Sequence, residues 1–395
     1  NLNIPRYVDS SEAAEHWDVY ASMFGGIPTA EIEELGEFWT AFPALKKALF
    51  TESGIPYVNV SVDDIKSAIK SHPDVVGFED AFNAAFSTFP AFLKEELIDR
   101  MESIEISKAE TVLSADIFER LKDIPLIDKY AAFQLLDDDW TGISIDLEML
   151  QTEGFAATKK VDPNLVIKKK DGKDQEVQEG WVGHIIPFDL VQATLLSTET
   201  DELHGLESRL AEIPSEYESI LDEMTEEDKE SCNDVLTDEG DAFVPKEVSK
   251  KIKEMKKDRS PESVALRTLL EKVESLVKSE KEIKAEIKAK GAALQAKTKD
   301  TIESLSDEQA LDLLEKKWIA PLIESIHKLP DTVIDSLVSK IQALQNKYAT
   351  TFFEVEQQIS ETEATLSGMI DDLEGNEYDM LGLNELKKLL GGSAE

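Results

Sequence analysis

The chain has 395 residues, with 82 acidic and 42 basic side chains, a formal net charge of −40 and 41% hydrophobic residues. This apolar content excludes a wholly disordered acidic chain, and the charge disfavours a protein that binds nucleic acid mainly through counterion release. A single cysteine excludes an intrachain disulfide and indicates a reducing compartment. The most apolar stretch, 181–196, is interrupted by His184, Pro187 and Asp189, so no membrane span is predicted.

Residues 1–122 are predicted to form a helical globule. Apolar residues recur there at helical spacing, as in Ile32, Leu35, Phe38 and Phe42, and short loops carry the prolines and glycines. We expect several short helices packed around one core.

Residues 123–200 carry the only strong strand signals and are predicted to form a mixed α/β linker region. The β-rich segments 164–167 and 181–186 flank Asp171-Gly172, a dipeptide that favours a tight turn, so we predict a small β-hairpin. Its tip carries the candidate DNA-contact residues Lys168, Lys169, Lys170 and Lys173. Ion pairing of these lysines with the abundant acidic residues is the alternative interpretation.

Residues 201–395 are predicted to form a bundle of long helices that docks a partner. Helix starts are indicated by Ser260-Pro261 and by Ser306 with Gln309, a capping box. The helix after Pro261 has apolar residues that step by three and four, the pattern of helices that pair along a narrow seam: Leu266, Leu269, Val273, Leu276, Ile283, Ile287 and Leu294. The last long helix carries the candidate partner-binding residues, which are Leu337, Ile341, Leu344, Tyr348, Val355 and Leu366.

Together these patterns predict a mainly α fold, in which a helical globule is followed by a coiled-coil-like antiparallel bundle of long helices, with a small β-hairpin insertion. Charge is distributed unevenly along it. Residues 201–250 hold 4 basic and 17 acidic side chains, whereas residues 251–300 hold 14 basic and 9 acidic ones. Local basic surfaces are therefore expected only in 251–300 and at the hairpin tip.

Residues typical of catalysis do not form a recognisable set. The five histidines lack the paired spacing of a zinc site, and neither a G-x-S-x-G elbow nor a G-K-[ST] phosphate loop occurs. Asp137, Asp138 and Asp139 fan out around a helix, which favours a solvated face over a cation site. Cys232 lies among acidic neighbours, which disfavour a thiolate nucleophile. We assign no catalytic, cofactor-binding or metal-binding residue.

Several strings of the chain, in order, resemble the segment that follows the catalytic domain in modification subunits of type I restriction-modification systems, which are N6-adenine DNA methyltransferases. These strings lie at 1–9, 17–28, 125–140, 180–187, 317–318 and 347–350. In that family an N-terminal domain binds S-adenosylmethionine through a Gly-rich loop and grips the flipped adenine with an Asn-Pro-Pro motif. No two prolines are adjacent in this chain, so that motif is absent from it. Because the chain begins at Asn1, we expect a piece of a longer protein whose missing N-terminal domain holds the cofactor and the catalytic residues.

The resemblance implies a non-catalytic scaffold that assembles with a specificity subunit. Through that subunit it would join a second modification subunit and the restriction subunit, and it would meet DNA in the assembled complex. The expected location is the cytoplasm of a bacterium or archaeon, without a membrane partner.

Two other classes of protein remain as alternatives. A free-standing coiled-coil structural protein would also carry helical seams, although the aromatic-bearing first 200 residues argue against it. An enzyme in its own right would need a nucleophile, metal set or phosphate cradle that the sequence does not show.

Overall fold

The computed structural model describes residues 16–52, 56–170, 173–237, 239–256 and 260–390. Most of these residues are helical, which confirms the predicted mainly α fold. A π-helix spans Lys94–Asp99, and 3-10 helices span Phe155–Lys159 and Asn233–Val235. The α-helices are α1 (Val19–Phe24), α2 (Thr29–Glu33), α3 (Gly36–Ala41), α4 (Leu45–Leu49), α5 (Ile65–Lys70), α6 (Pro73–Phe86), α7 (Phe89–Leu93), α8 (Ile106–Leu121), α9 (Lys129–Glu153), α10 (Phe188–Leu195), α11 (Ser197–Glu223), α12 (Glu226–Ser231), α13 (Pro245–Met255), α14 (Pro261–Glu303), α15 (Asp307–Trp318), α16 (Ala320–His327), α17 (Leu329–Lys347), α18 (Phe352–Asp371) and α19 (Glu377–Leu390).

Strands form two small antiparallel sheets. The predicted hairpin is confirmed as β4 (Val161–Lys170) paired with β5 (Lys173–Gly183). Another sheet has the order β1-β3-β2, from β1 (Ile27–Pro28), β2 (Phe50–Glu52) and β3 (Tyr57–Val60). Strong strand signals occur in the sequence only in 123–200, so this second sheet is not predicted. These three strands have only two to four residues each, too few to stand out from the helical pattern around them.

The chain divides into two compact units that do not follow the three predicted consecutive regions. One unit contains Asn1–Pro90, Glu110–Asp138 and Leu322–Glu395, and the other contains Ala91–Ala109 and Asp139–Pro321. The end of the chain thus shares a unit with its beginning.

The core of the first unit is completed by α17. Leu337 and Ile341 of this helix are fully buried in one cluster with Phe42, Ile69 and Phe78 from the first 90 residues. The rings of Phe42 and Phe78 meet edge to face with centroids 5.5 Å apart. Apolar side chains from both ends of the chain therefore leave water together, which explains why the unit is discontinuous in sequence.

In the second unit, α11 and α14 run antiparallel, as predicted for this bundle. Residues late in α14 pair with residues early in α11, since the Lys290 ammonium lies 2.8 Å from the Glu202 carboxylate and Lys272 lies 3.2 Å from Glu223. Helix α14 begins as predicted, with Ser260 as N-cap and a proline in its first turn. Five of its seven predicted seam residues are buried, namely Leu266, Val273, Leu276, Ile283 and Leu294.

The predicted last long helix is in fact two helices. Helix α17 ends at Lys347, and α18 begins at Phe352 after an N-cap at Thr351. The Thr351 hydroxyl accepts the Glu354 backbone N–H at 3.1 Å, and the Glu354 carboxylate accepts the Thr351 N–H at 3.1 Å. This capping box begins a new helix and ends the continuous seam that was expected.

Candidate protein-interaction surface

The residues predicted to bind a partner divide at this break between the two helices. Leu337 and Ile341 are fully buried, Tyr348 is 4% exposed, and Leu344 packs half-buried against the same core. The structure therefore removes these four residues of α17 and its C-cap from the predicted interaction surface, because the first unit itself covers them. Val355 and Leu366 of α18, by contrast, are 37% and 44% exposed.

Helix α18 carries a complete stripe of exposed residues at heptad spacing. Its positions step strictly by three and four, and we call them the α18 stripe: Phe352, Val355, Ile359, Thr362, Leu366, Met369 and, just after the helix, Leu373. Among the side chains that the structure describes in α18, only Ile370 is buried. A helix of 20 residues, about 30 Å long, thus presents an unpaired coiled-coil seam to solvent.

Helix α19 contacts α18 and extends the exposed apolar surface. Tyr378, Leu381 and Leu389 of α19 are between 61% and 83% exposed. Large apolar side chains exposed on two contacting helices favour a protein–protein contact over the ordinary surface of a monomer.

The start of α18 is held in place by hydrogen bonds at the end of α17. The Tyr348 hydroxyl donates to the Glu31 carboxylate and accepts the Asp18 backbone N–H at 3.1 Å. The Lys347 ammonium donates to the second Glu31 oxygen at 2.8 Å and to the His16 carbonyl at 2.6 Å. Burial alone would lower the pKa of Lys347, but its bonds to Glu31 and Tyr348 outweigh that and raise it. These half-buried contacts hold the end of α17, just before α18 begins, against residues 16–31.

An exposed aromatic patch adjoins the first turn of α18. Tyr20 of α1 stacks on Tyr57 with ring centroids 4.7 Å apart and lies 5.0 Å from the ring of Phe24, which is 61% exposed. Helix α1 contacts α18, whose Phe352 and Phe353 are 57% and 60% exposed. Aromatic side chains are the residues most enriched at energetically important interface positions.

The surface around the α18 stripe is acidic. Residues 352–390 hold ten acidic and two basic side chains. A partner that covers the stripe would need an apolar stripe of its own, flanked by basic residues, because paired helices are matched by complementary charges beside the seam.

The sequence pattern identified only part of this surface. The sequence prediction does not include Phe352 and Ile359, because it continues the spacing of α17 into this segment. The capping box starts a new helix, so the three-and-four spacing begins again at Phe352. The spacing of Phe352, Val355 and Ile359 was itself the signal that could have found them.

The candidate DNA-contact lysines lie at the end of the β4–β5 hairpin. Lys169 is exposed in β4 and is paired in the register with Asp174. The side chains of Lys168, Lys170 and Lys173 lie outside the described residues, as do Asp171 and Gly172. Contact of these lysines with DNA stays a prediction.

Other groups with possible chemistry were located in the described part of the chain. There, no cluster of three or more His, Cys, Asp or Glu side chains is arranged to hold a metal ion. The Asp138 carboxylate accepts a hydrogen bond from Gln134 on its own helix, at 2.8 Å. Burial raises the pKa of the Cys232 thiol, which keeps it protonated. None of the helices in the described ranges has the length and apolar character needed to cross a membrane.

Comparison of the chain with protein-family models, with curated proteins and with solved structures gave no match.

Proposed function

We propose that the chain is the non-catalytic C-terminal part of a type I restriction-modification adenine methyltransferase subunit, and that it docks the specificity subunit through α18 and α19. The observation that carries this proposal is the α18 stripe, a seven-position heptad seam left open on a helix that contacts α1 and α19. An open seam of this kind is completed by helices of a partner.

The proposal assigns the chain a role in assembly rather than in chemistry. S-adenosylmethionine and the catalytic residues would belong to the preceding domain, and recognition of the DNA sequence would belong to the specificity subunit. The second modification subunit, the restriction subunit and DNA would join through that complex. Support comes from the order of the resembling strings and from the open seam.

A test of the proposal places a charge on the stripe and an identical charge on the opposite side of α18. Ile359→Asp and Leu366→Asp alter the stripe, while Ala364→Asp is the matched control, since position 364 lies about 200 degrees from stripe positions 362 and 366. We expect each stripe variant to weaken binding to the specificity subunit by about 2 kcal/mol, roughly thirtyfold, in calorimetric titration. Equal binding by all three variants would contradict docking through this face.

The alternative of a free-standing coiled-coil protein predicts that α18 pairs with α18 of a second copy. Each copy would bring ten acidic and two basic residues in 352–390 to that contact, and like charges beside a seam oppose pairing. Light scattering at micromolar concentration separates the two functions, because a dimer that Leu366→Asp dissociates would favour the coiled-coil protein.

A further inference from the structure

A cavity of about 320 Å³ lies in the second unit, where α11, α14 and the loop before α13 meet. The loop closes on itself, because Leu236 and Phe243 form an isolated β-bridge and the Val244 N–H donates to the Val235 carbonyl at 2.7 Å. Gly240 supports this turn with φ of +74°, a conformation that other residues rarely adopt. The loop thereby places Phe243 as one wall of the cavity.

The interior of the cavity is aromatic and apolar. The Tyr217 ring of α11 lies 6.2 Å from the Phe243 ring at an interplanar angle of 52°. The remaining apolar lining is supplied by Pro214, Leu221, Ala242, Pro245 and Val277. The two tilted rings and the apolar side chains can pack against the hydrocarbon part of a ligand. The faces of the rings can also attract a cation.

Carboxylates line the cavity together with these rings. Glu218, Asp241 and Glu280 all belong to its lining, whereas none of the described lining residues is basic. The Asp241 carboxylate accepts the Thr237 hydroxyl at 2.6 Å, and the Glu280 carboxylate accepts the Tyr217 hydroxyl at 3.2 Å. Burial, together with Glu280, raises the pKa of Tyr217 to about 12, so this tyrosine remains a neutral donor.

An anion would be repelled by this lining, and a purely apolar ligand would leave its carboxylates without a charged partner. A cationic group on an alkyl chain fits both the carboxylates and the apolar side chains of the cavity. Glu280 also pairs with Lys284, but that lysine side chain is 59% exposed and such a pair is weak enough to be exchanged.

The surroundings favour a protein as the source of that cation. The cavity is at the small end of ligand sites and suits one side chain. It is built by residues of the 201–300 part of the chain, which holds 26 acidic and 18 basic side chains, and a net acidic surface attracts a basic protein.

We infer that the Tyr217–Phe243 cavity binds an arginine or lysine side chain of a basic partner protein. The inference is independent of the docking proposed for α18. If the cavity bound ligands by shape alone, it would bind a cation and a neutral molecule of the same shape equally well.

The test uses the full chain labelled with 3-fluorotyrosine, with the Tyr217 resonance assigned by its loss in Tyr217→Phe. Titration with acetyl-arginine-amide should shift that resonance saturably at millimolar concentration, and acetyl-citrulline-amide, which is neutral, should bind about tenfold or more weakly. Equal shifts by both ligands, or none by arginine, would overturn the inference.

Matched variants assign the effect to the cavity. Glu218→Gln with Glu280→Gln keeps the hydrogen-bond acceptors and should weaken arginine binding about tenfold, while Glu212→Gln with Glu282→Gln removes the same charge from the same two helices and should change it less than about twofold. If both double variants lost arginine affinity equally, the effect would come from net charge alone and the proposed site would be refuted.

A peptide with one arginine among lysines should bind more tightly than acetyl-arginine-amide at low salt. If spermidine bound more tightly than this peptide, the inference that the occupant is a protein side chain would be wrong.

Discussion

Helices α17 and α18 follow one another and both carry apolar residues at three-and-four spacing, yet one stripe is covered and the other is open. Leu337 and Ile341 of α17 are fully buried in the first unit, whereas Ile359 and Met369 of α18 are 54% and 62% exposed. This difference shows that heptad spacing identifies a helix face that must be covered, but not whether the same chain or a partner covers it. Thr351, the N-cap of α18, is the point at which the covered stripe ends and the exposed stripe begins.

The largest expected effect comes from the same substitution in the two stripes. Ile341→Asp places a carboxylate in the closed core and should reduce the free energy of unfolding by at least about 4 kcal/mol, because the cavity and the unpaired charge add. Ile359→Asp should change it by less than about 0.5 kcal/mol, as expected of an exposed position. Urea denaturation measures both values. Similar losses in the two variants would mean that the α18 stripe is covered within the chain after all.

A smaller effect is expected at the boundary between the helices. Thr351→Ala removes the hydroxyl that accepts the Glu354 N–H and should destabilise the first turns of α18 by about 1 kcal/mol. Hydrogen exchange of the 352–371 segment should then be about fivefold faster. The exposed Thr365→Ala in the middle of α18 is the control and should not speed exchange. Unchanged exchange in Thr351→Ala would show that the capping box does not determine where α18 begins.

The smallest effect concerns pH and the attachment of α18. The pKa of Lys347 is higher in the folded chain than its ordinary value of 10.5, so folding favours the charged amine. Its contribution to stability is therefore complete below pH 10.5 and is lost as the pH rises through the raised pKa. The free energy of unfolding of the native chain should decrease over that pH range, and the decrease should be smaller in Lys347→Met. Identical alkaline profiles would exclude Lys347 as the group responsible.

Local signals in the sequence predicted a large part of the fold. Ser260-Pro261 and the Ser306 capping box start helices as expected, and five of the seven predicted seam residues of α14 are buried. These features depend on neighbours in sequence or on one repeated spacing, which a single chain displays directly.

Long-range choices could not be predicted in the same way. Nothing in the spacing of α17 indicates that it packs with Phe42 and Ile69 from the start of the chain rather than with α14. The Tyr217–Phe243 cavity was missed for the same reason, since its walls are brought together by a loop closure and not by a motif. Of the proposed interaction surface, the sequence pattern predicts Val355 and Leu366, which are exposed, but it does not predict the aromatic patch on α1.

The discontinuity of the first unit has a consequence for biosynthesis. The apolar residues between Ala21 and Phe78 leave the ribosome long before Leu337 and Ile341 are made, although they form one core with them. At ordinary rates of translation, roughly 10 to 50 s separate the two events. During that interval Phe42, Phe78 and their neighbours lack the helix that shields them, so the nascent chain is expected to depend on chaperones until α17 emerges.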